Sequence, residues 1–546
     1  MKILICSVYA AGGDDPFLSL LPVGVGSLVA FLRRNDLEAK AANLMGLSPH
    51  LIRKILARER PDLLGISVMT HNRHDAVRLA ELAKELNPAC FVVFGGAHAT
   101  HRCREILAAY PAVDAIVLGE GEESLKELAQ LPAKKRGGDL HQVRGIAFRH
   151  GGRVVVTQPR PLVADLDLLP HAYEGFQGGI NIHPRRQMEF LITSRGCPAA
   201  CTFCSSPNFW GKSLRFRSPR SMVAEIRAIR DRYGLIYFSI RDDTFTADRK
   251  RVVEFCRLLL EERLFILWNC QSRVSAVDEE MLLWMRRAGC DCIQYGVESG
   301  SPALLGILGK RITPDQIISA ARMTRRVGIR LSIYLMTGIP GETGEELRET
   351  LRVLEGVKAD DGQVSPLAYY PGTALHGEAV GRGELPADLF ERSTEEALYV
   401  RSDPFVASAT RRMLEKIKSV APKELSQRAC SPASKAGYCH ADNIAAGELL
   451  AEEGDFTGAE QQYLEITRRE PDNPWGWLLL GELRQESGRR GEALNAFRRL
   501  TELVPSHLPA WEALAELLGS GGERSEARRC REAVRRLTES DHHGES

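Results

Sequence analysis

The sequence predicts a mixed α/β chain with an all-helical tail, and three patterns predict it. Over residues 1 to about 130 short apolar strands alternate with helical periodicities, from Phe190 a second such alternation begins, and from about residue 440 the chain is helical and repeats itself at a fixed offset. Strands alternating with helices build parallel sheets covered on both faces, with ligands taken at the strand C-terminal ends. A fixed repeat period builds a solenoid.

The first series reads KILICSVY, a helical pattern from Leu21 to Arg34, DLLGISVM, a helix from about Asp75 to Leu86, CFVVFGG and DAIVLGEGEES. Residues 136–185, rich in Pro and basic residues, read as a connector between this domain (1–135) and the next (186–400). The second series holds six strand patterns, FLITS, LIYFSI, FILWNC, CIQYGVES, LSIYLMTG and QVSPLAYY, and six βα units in series predict a barrel or partial barrel. A helical linker is expected over 401–440 and the repeats over 441–540. There Gly454, Gly488 and Gly522 stand 34 apart, as do Ala459, Ala493 and Ala527, and Leu449, Leu483 and Leu517; Pro471 pairs with Pro505 and Trp477 with Trp511 at the same offset. This register resembles the tetratricopeptide (TPR) repeat, which implies a concave surface for a protein partner, or else a cap or self-association module.

At 546 residues the chain suits several domains with deep buried sites. Its 44% apolar and 26% charged residues argue against bulk disorder. The formal charge of +1 supplies no global field for gathering nucleic acid, so no nucleic-acid partner is expected. MKILICSVYA meets Gly-Gly-Asp-Asp too early for a signal peptide, and no run approaches the ~18 apolar residues of a membrane span. A cytoplasmic protein is expected, with its thirteen cysteines mostly reduced.

Three of those cysteines fall within eight residues, in Ser194-Arg-Gly-Cys-Pro-Ala-Ala-Cys-Thr-Phe-Cys204. Three thiolates leave a metal centre with an open position, whereas a closed structural zinc site takes four ligands. Cys6, Cys90, Cys256, Cys270, Cys290 and Cys292 lie in apolar patterns and read as small buried hydrophobes, and Cys430 and Cys439, at the entrance to the repeats, read as non-ligating. Polar or Gly-rich turns follow successive strands: Asp242-Asp-Thr-Phe245, Gln-Ser-Arg273, Gly296-Val-Glu-Ser-Gly-Ser301 and Gly338-Ile-Pro-Gly-Glu-Thr343. In a barrel these turns converge on one mouth.

The spacing C-x3-C-x2-C, with Phe203 before the last cysteine and FLITS before the loop, resembles the radical S-adenosylmethionine (radical SAM) superfamily. The resemblance implies a 4Fe-4S cluster on Cys197, Cys201 and Cys204, its open iron chelated by the amino and carboxylate groups of SAM. It implies SAM contacts from Phe203, Asp242, Asp243, Arg273, Glu298, Ser299 and Gly300. Of these, Arg273 suits the SAM carboxylate through its guanidinium fork, and Glu298 suits the ribose hydroxyls. Gly300 and Gly341 are expected to allow close backbone approach.

In the first series Ser67-Val-Met69, Gly95-Gly96-Ala-His-Ala-Thr100 and Gly119-Glu-Gly-Glu122 end successive strands. With the barrel, residues 1 to 400 resemble the radical SAM class that carries an N-terminal cobalamin-binding domain and includes methyltransferases and the anaerobic porphyrin-ring cyclase. Implied cobalamin contacts are Ser67, Thr70, Gly95, Gly96, His98, Gly119, Glu120 and Gly121. The glycines would clear space for the flat nucleotide tail while the polar groups bond to it. The loop SVYAAGGDDPF lacks the histidine of D-x-H-x-x-G, so no histidine on cobalt is expected, and His98 reads as a tail or structural residue.

The resemblance therefore implies three parts: a Rossmann-like cobalamin-binding domain, a (β/α)6 partial-barrel radical SAM core and a TPR solenoid. The implied activity is cleavage of SAM to a 5′-deoxyadenosyl radical, with cobalamin as methyl carrier, to methylate an unactivated carbon. One alternative is a cobalamin-dependent cyclisation or rearrangement; another is a non-catalytic scaffold whose repeats bind a partner. The tRNA methylthiotransferase family carries three further cysteines in its N-terminal domain and a β-rich RNA-binding tail; neither pattern is read here, where Cys6 and Cys90 read as buried hydrophobes, and that activity is expected less. The substrate is left open among small molecules, peptides and carrier-bound groups, and an electron donor such as flavodoxin or ferredoxin is expected.

Overall fold

The computed structural model describes residues 1–9, 20–132, 140–421 and 437–542. Cys430 and most of the loop read for a cobalt histidine lie outside these residues.

Five strands, β1 (Ile3–Ser7), β2 (Ala39–Asn43), β3 (Leu63–Ser67), β4 (Phe91–Gly95) and β5 (Ala115–Val117), pair in parallel in the order β2-β1-β3-β4-β5. The order reverses between β1 and β3, the point at which open sheets of this kind take ligands. β2 was not expected, because Ala-Lys-Ala-Ala-Asn holds no β-branched or aromatic residue; it is a strand because it pairs with the fully buried β1.

The expected connector is corrected too. β6 (Ile146–His150) and β7 (Arg153–Val156) form an antiparallel hairpin on the edge of β5. Their turn, Gly151-Gly152, has φ of 56° and 75°, the left-handed geometry of a two-residue hairpin loop.

The second sheet begins at β8 (Phe190–Leu191), whose chain then passes through β9 (Ser194–Arg195) and the cysteine loop to β10 (Arg215–Phe216), an antiparallel partner of β9. β11 (Tyr237–Ile240), β12 (Leu267–Ser272), β13 (Cys290–Glu298), β14 (Arg330–Thr337) and β15 (Asp361–Pro366) complete a six-stranded parallel sheet in the order β15-β14-β13-β12-β11-β8. With β8 and β15 as edges, the barrel stays open on one side. Its helices start where the sequence places caps: Ser218, Asp248, Asp278 and Thr313 each accept a first-turn N–H, worth about 1 kcal/mol apiece. One apolar core joins the two sheets, from Ile3 and Val93 to Phe238, Trp268 and Ile293.

Past the helix Pro404–Val420, which lies on β15, the tail forms six helices from His440–Glu452 to Arg524–His542. The repeat spacing is a packing requirement, since a Cβ on Gly447 or Gly481 would meet the ring of Tyr463 or Phe497 within 2.2 and 2.6 Å. The repeats dock on the N-terminal ends of the barrel strands. Leu267, opening β12, shares an apolar cluster with Ile444 and Tyr463, Arg286 pairs with Asp442 at 2.8 Å, and the Ser506 hydroxyl donates to the Arg230 carbonyl at 3.0 Å. Cys439 is buried there with its thiol on the Arg286 carbonyl.

Candidate active site

The cysteine loop leaves β8 along a fixed path. Asp242, 1% exposed at the end of β11, accepts the backbone N–H of Thr193 (2.6 Å) and Ser194 (3.0 Å) and the Thr193 hydroxyl (2.6 Å). It does not line the cavity beside the cysteines, so the structure makes it a positioning residue for the loop rather than a SAM contact. Gly196 follows with φ of 97°, where a Cβ would strike the Ser213 carbonyl oxygen at 2.4 Å, so only glycine makes this turn.

Cys197, Cys201 and Cys204 all open onto one cavity of about 190 Å3 at the barrel mouth. Among the described residues no group of three His, Cys, Asp or Glu side chains is drawn together as if around one ion. Three thiols on one short loop, opening onto one cavity, are the donor set of a cluster in which three irons each take one thiolate. Burial pushes the Cys204 thiol up to about 11, so its thiolate needs a bound cation.

Phe203, Asp243, Arg273 and Glu298 line the same cavity. Arg273 reaches Cys201 Sγ at 3.6 Å, which places a guanidinium beside the cluster loop. Asp243 accepts the Ser206 hydroxyl, and burial raises its carboxyl above the ordinary range. Glu298 is buried and held by Lys310, whose Nζ lies 2.8 Å from Oε1 and also donates to the Gly296 carbonyl at 2.6 Å. Lys310 escaped the sequence reading because a single lysine after a glycine makes no pattern; only the fold brings it under β13.

Ser299 and Gly300 turn away from the cavity. The Gly300 N–H donates to Thr350 Oγ1 at 3.0 Å, Ser299 Oγ lies 3.2 Å from the same oxygen, and a Cβ on Gly300 would meet Thr350 Cα at 2.6 Å. The close approach expected at Gly300 is therefore to the helix Gly344–Val357, not to a nucleotide.

A second cavity, of about 430 Å3, lies at the C-terminal ends of the first sheet against the helix Val23–Arg34. Ser67, Gly95, Gly96, Gly119, Glu120 and Gly121 all line it, and its other walls are mainly apolar, among them Val25, Leu28 and Val117. A Cβ on Gly95 would find no atom nearer than 4.0 Å, so the sheet leaves room there for a flat group such as the cobalamin nucleotide tail. The far wall belongs to the barrel: Arg195, Cys204, Phe209 and Trp210. Cys204 thus lines both cavities.

Thr70 and His98 are absent from this wall. They bond to each other at 3.2 Å, and the His98 ring packs edge-on to Phe390 at 5.5 Å. Burial, then Arg73, lowers His98 to about 3, so it is a neutral packing residue, which corrects its place among the cofactor contacts. Glu120 does more than line the cleft, since it pairs with Arg195 (3.0 Å) and Arg215 (2.6 Å), while Glu122 pairs with Arg195 (2.5 Å). Burial alone would raise Glu122, but Arg195 outweighs it and holds the carboxyl low. The Gly-Glu-Gly-Glu turn is therefore tied to the residue that opens the cysteine loop.

Comparison with known proteins agrees with this geometry. Residues 191–354 match the radical SAM superfamily, 17–129 the B12 binding domain and 450–518 the tetratricopeptide repeat. An uncharacterized methyltransferase of Pyrococcus horikoshii is 32% identical over 379 residues, covering 67% of this chain and 79% of the relative. The anaerobic magnesium-protoporphyrin IX monomethyl ester cyclase of Rubrivivax gelatinosus is 30% identical over 379 residues, 68% of each chain. The radical S-adenosylmethionine methyltransferase TsrM of Kitasatospora setae, solved with cobalamin and a 4Fe-4S cluster, shares the fold at 18% identity and a TM-score of 0.60, over 78% of this chain and 90% of that one. Among the described residues no helix is long and apolar enough to cross a membrane. The chain belongs to the radical SAM enzymes that carry an N-terminal B12-binding domain and, here, a C-terminal TPR array.

Proposed function

We propose that the protein is a cobalamin-dependent radical SAM methyltransferase acting on an unactivated carbon. The observation that carries this is the sharing of Cys204 between the cluster cavity and the cleft of the B12-binding domain, which sets the two cofactor sites wall to wall. When bound, the cluster supplies the electron that cleaves SAM to a 5′-deoxyadenosyl radical, and cobalamin carries the methyl group.

The chain's own residues hold and orient these groups. Cys197, Cys201 and Cys204 would hold the cluster, Arg273 would take the SAM carboxylate, and Glu298, fixed by Lys310, would accept the ribose hydroxyls. Asp242 and Gly196 set the path of the loop. Arg195, paired to Glu120 and Glu122, draws the first domain over the mouth and excludes water from a radical reaction. A flavodoxin or ferredoxin supplies the electron, in the cytoplasm, and the repeats bind a protein partner or a second chain.

Anaerobic reconstitution with iron, sulfide and hydroxocobalamin tests the reading. Bound iron, bound cobalamin and 5′-deoxyadenosine are all expected; loss of cobalamin on gel filtration removes the methyltransferase, and absence of a cluster removes the enzyme class. The identity to the porphyrin-ester cyclase favours one second reading, a cyclisation. Product mass separates the two: one methyl gained, or the carbon count unchanged.

A further inference from the structure

A third cavity, of about 920 Å3, occupies the open side of the barrel, between Phe190 on edge strand β8 and Gln363 on edge strand β15. It shares Gln294 and Tyr334 with the cluster cavity, and Pro22, Val23 and Met69 with the cleft of the first domain. A molecule lodged there meets both cofactor sites at once. Its size falls in the range of sites for organic ligands.

The charged groups in this cavity are unevenly placed. Arg241, directly after β11, donates from Nη1 to Gln294 Oε1 at 3.2 Å, and its guanidinium lies over the Phe190 ring at 5.3 Å. The Tyr334 hydroxyl donates to the same Gln294 oxygen at 3.0 Å. Arg241 is half-buried, whereas Asp361, the acid among the described lining residues, is exposed on the opposite edge strand. Glu189, just before β8, feels the charge of Arg241, but burial raises its carboxyl and it does not line the cavity. His71 does line it, and burial lowers its pKa, so it adds a hydrogen bond and not a charge at neutral pH. The first-domain wall is apolar, with Leu21, Met45 and Met69.

We infer that this cavity is the substrate site and that Arg241 anchors an acidic group, carboxylate or phosphate, of an amphipathic substrate whose apolar body lies on Leu21, Met45 and Met69. The inference rests on the radical SAM reading above. A guanidinium matches either acid through two parallel hydrogen bonds. Its contacts with Gln294 and Phe190 hold the fork in place before the ligand arrives, which lowers the ordering cost of binding. Tyr334 and Gln294, facing both cavities, set the anchored molecule against the SAM site.

The test uses the full-length chain reconstituted with cluster and cobalamin, and three probes with one aromatic body: phenylacetate, benzyl phosphate and phenylacetamide, titrated anaerobically by calorimetry. The wild type is expected to bind at least one anion tenfold or more tightly than the amide, and the tighter anion identifies the acid. Arg241→Gln should erase that preference and Arg241→Lys keep part of it, with iron and cobalamin content equal in all three proteins. Equal binding of the amide, an undiminished preference in Arg241→Gln, or no binding by the wild type overturns the anchor. A chain that retains neither cluster nor cobalamin overturns the radical SAM reading, and this inference with it.

Discussion

The two ends of the barrel are built on opposite terms. At the C-terminal ends of the strands the chain leaves space, with cavities of about 190, 430 and 920 Å3 walled by thiols, arginines and the first domain. At the N-terminal ends it fills space: Arg286, 2% exposed, pairs with Asp442, and a Cβ on Gly234 would meet the Ser506 carbonyl oxygen at 2.3 Å. In parallel α/β barrels chemistry sits at the first end and stability at the second. The repeats brace the second.

Substitutions at the two ends should separate accordingly. The largest effect belongs to Cys201→Ala, which should abolish bound iron and take 5′-deoxyadenosine formation to background while the far-ultraviolet circular dichroism spectrum stays unchanged. Glu120→Ala comes next, because it strands the buried Arg215 and leaves Arg195 with Glu122 alone; a loss of about 3–5 kcal/mol is expected from denaturant unfolding, together with weaker cobalamin retention. Arg286→Ala should cost a similar or slightly smaller amount, about 3 kcal/mol, yet leave iron and cobalamin content at 20 °C intact. If Arg286→Ala lost the cluster as Cys201→Ala does, the division between the two ends would fall.

A smaller, pH-dependent effect is expected where the repeats meet the barrel. Burial, then Arg185, lowers His507 from its ordinary 6.5 to about 4. The folded chain binds fewer protons there than the unfolded one between those values. The contribution is therefore present above about pH 6.5 and is lost as pH falls toward 4. The melting temperature should decline over that window, and less steeply in His507→Gln. The smallest effect belongs to Arg263→Ala at the same junction: its pair with Asp472 is half-exposed, so less than about 1 kcal/mol should be lost, with no change in SAM cleavage.

Four strands of the first sheet, the six of the second and the repeat period were legible because apolar runs and a fixed offset are local signals. The cysteine triplet was legible because its spacing is itself the chemistry. What escaped was long-range. Asp242 read as a ligand because a carboxylate after a barrel strand is common to ligands and to loop anchors, and only its bonds to Thr193 and Ser194 decide between them. Glu120 and Arg195 are 75 positions apart and meet through the docking of two sheets. His98 stands beside glycines in sequence but faces Phe390, 292 residues later, in space. The β6–β7 hairpin was within reach, since Gly151-Gly152 before Arg-Val-Val-Val is a turn-and-strand signal hidden in a Pro-rich stretch.

The pairing of Glu120 and Glu122 with Arg195 and Arg215 also bears on how such proteins can be recombined. Although the chain reads as separable modules, this ion cluster and the shared core make the first sheet and the cysteine loop a single heritable unit. A chimera that takes its cobalamin domain from one relative and its barrel from another must carry both halves of the cluster, or it places two arginines in an apolar seam with nothing to neutralise them.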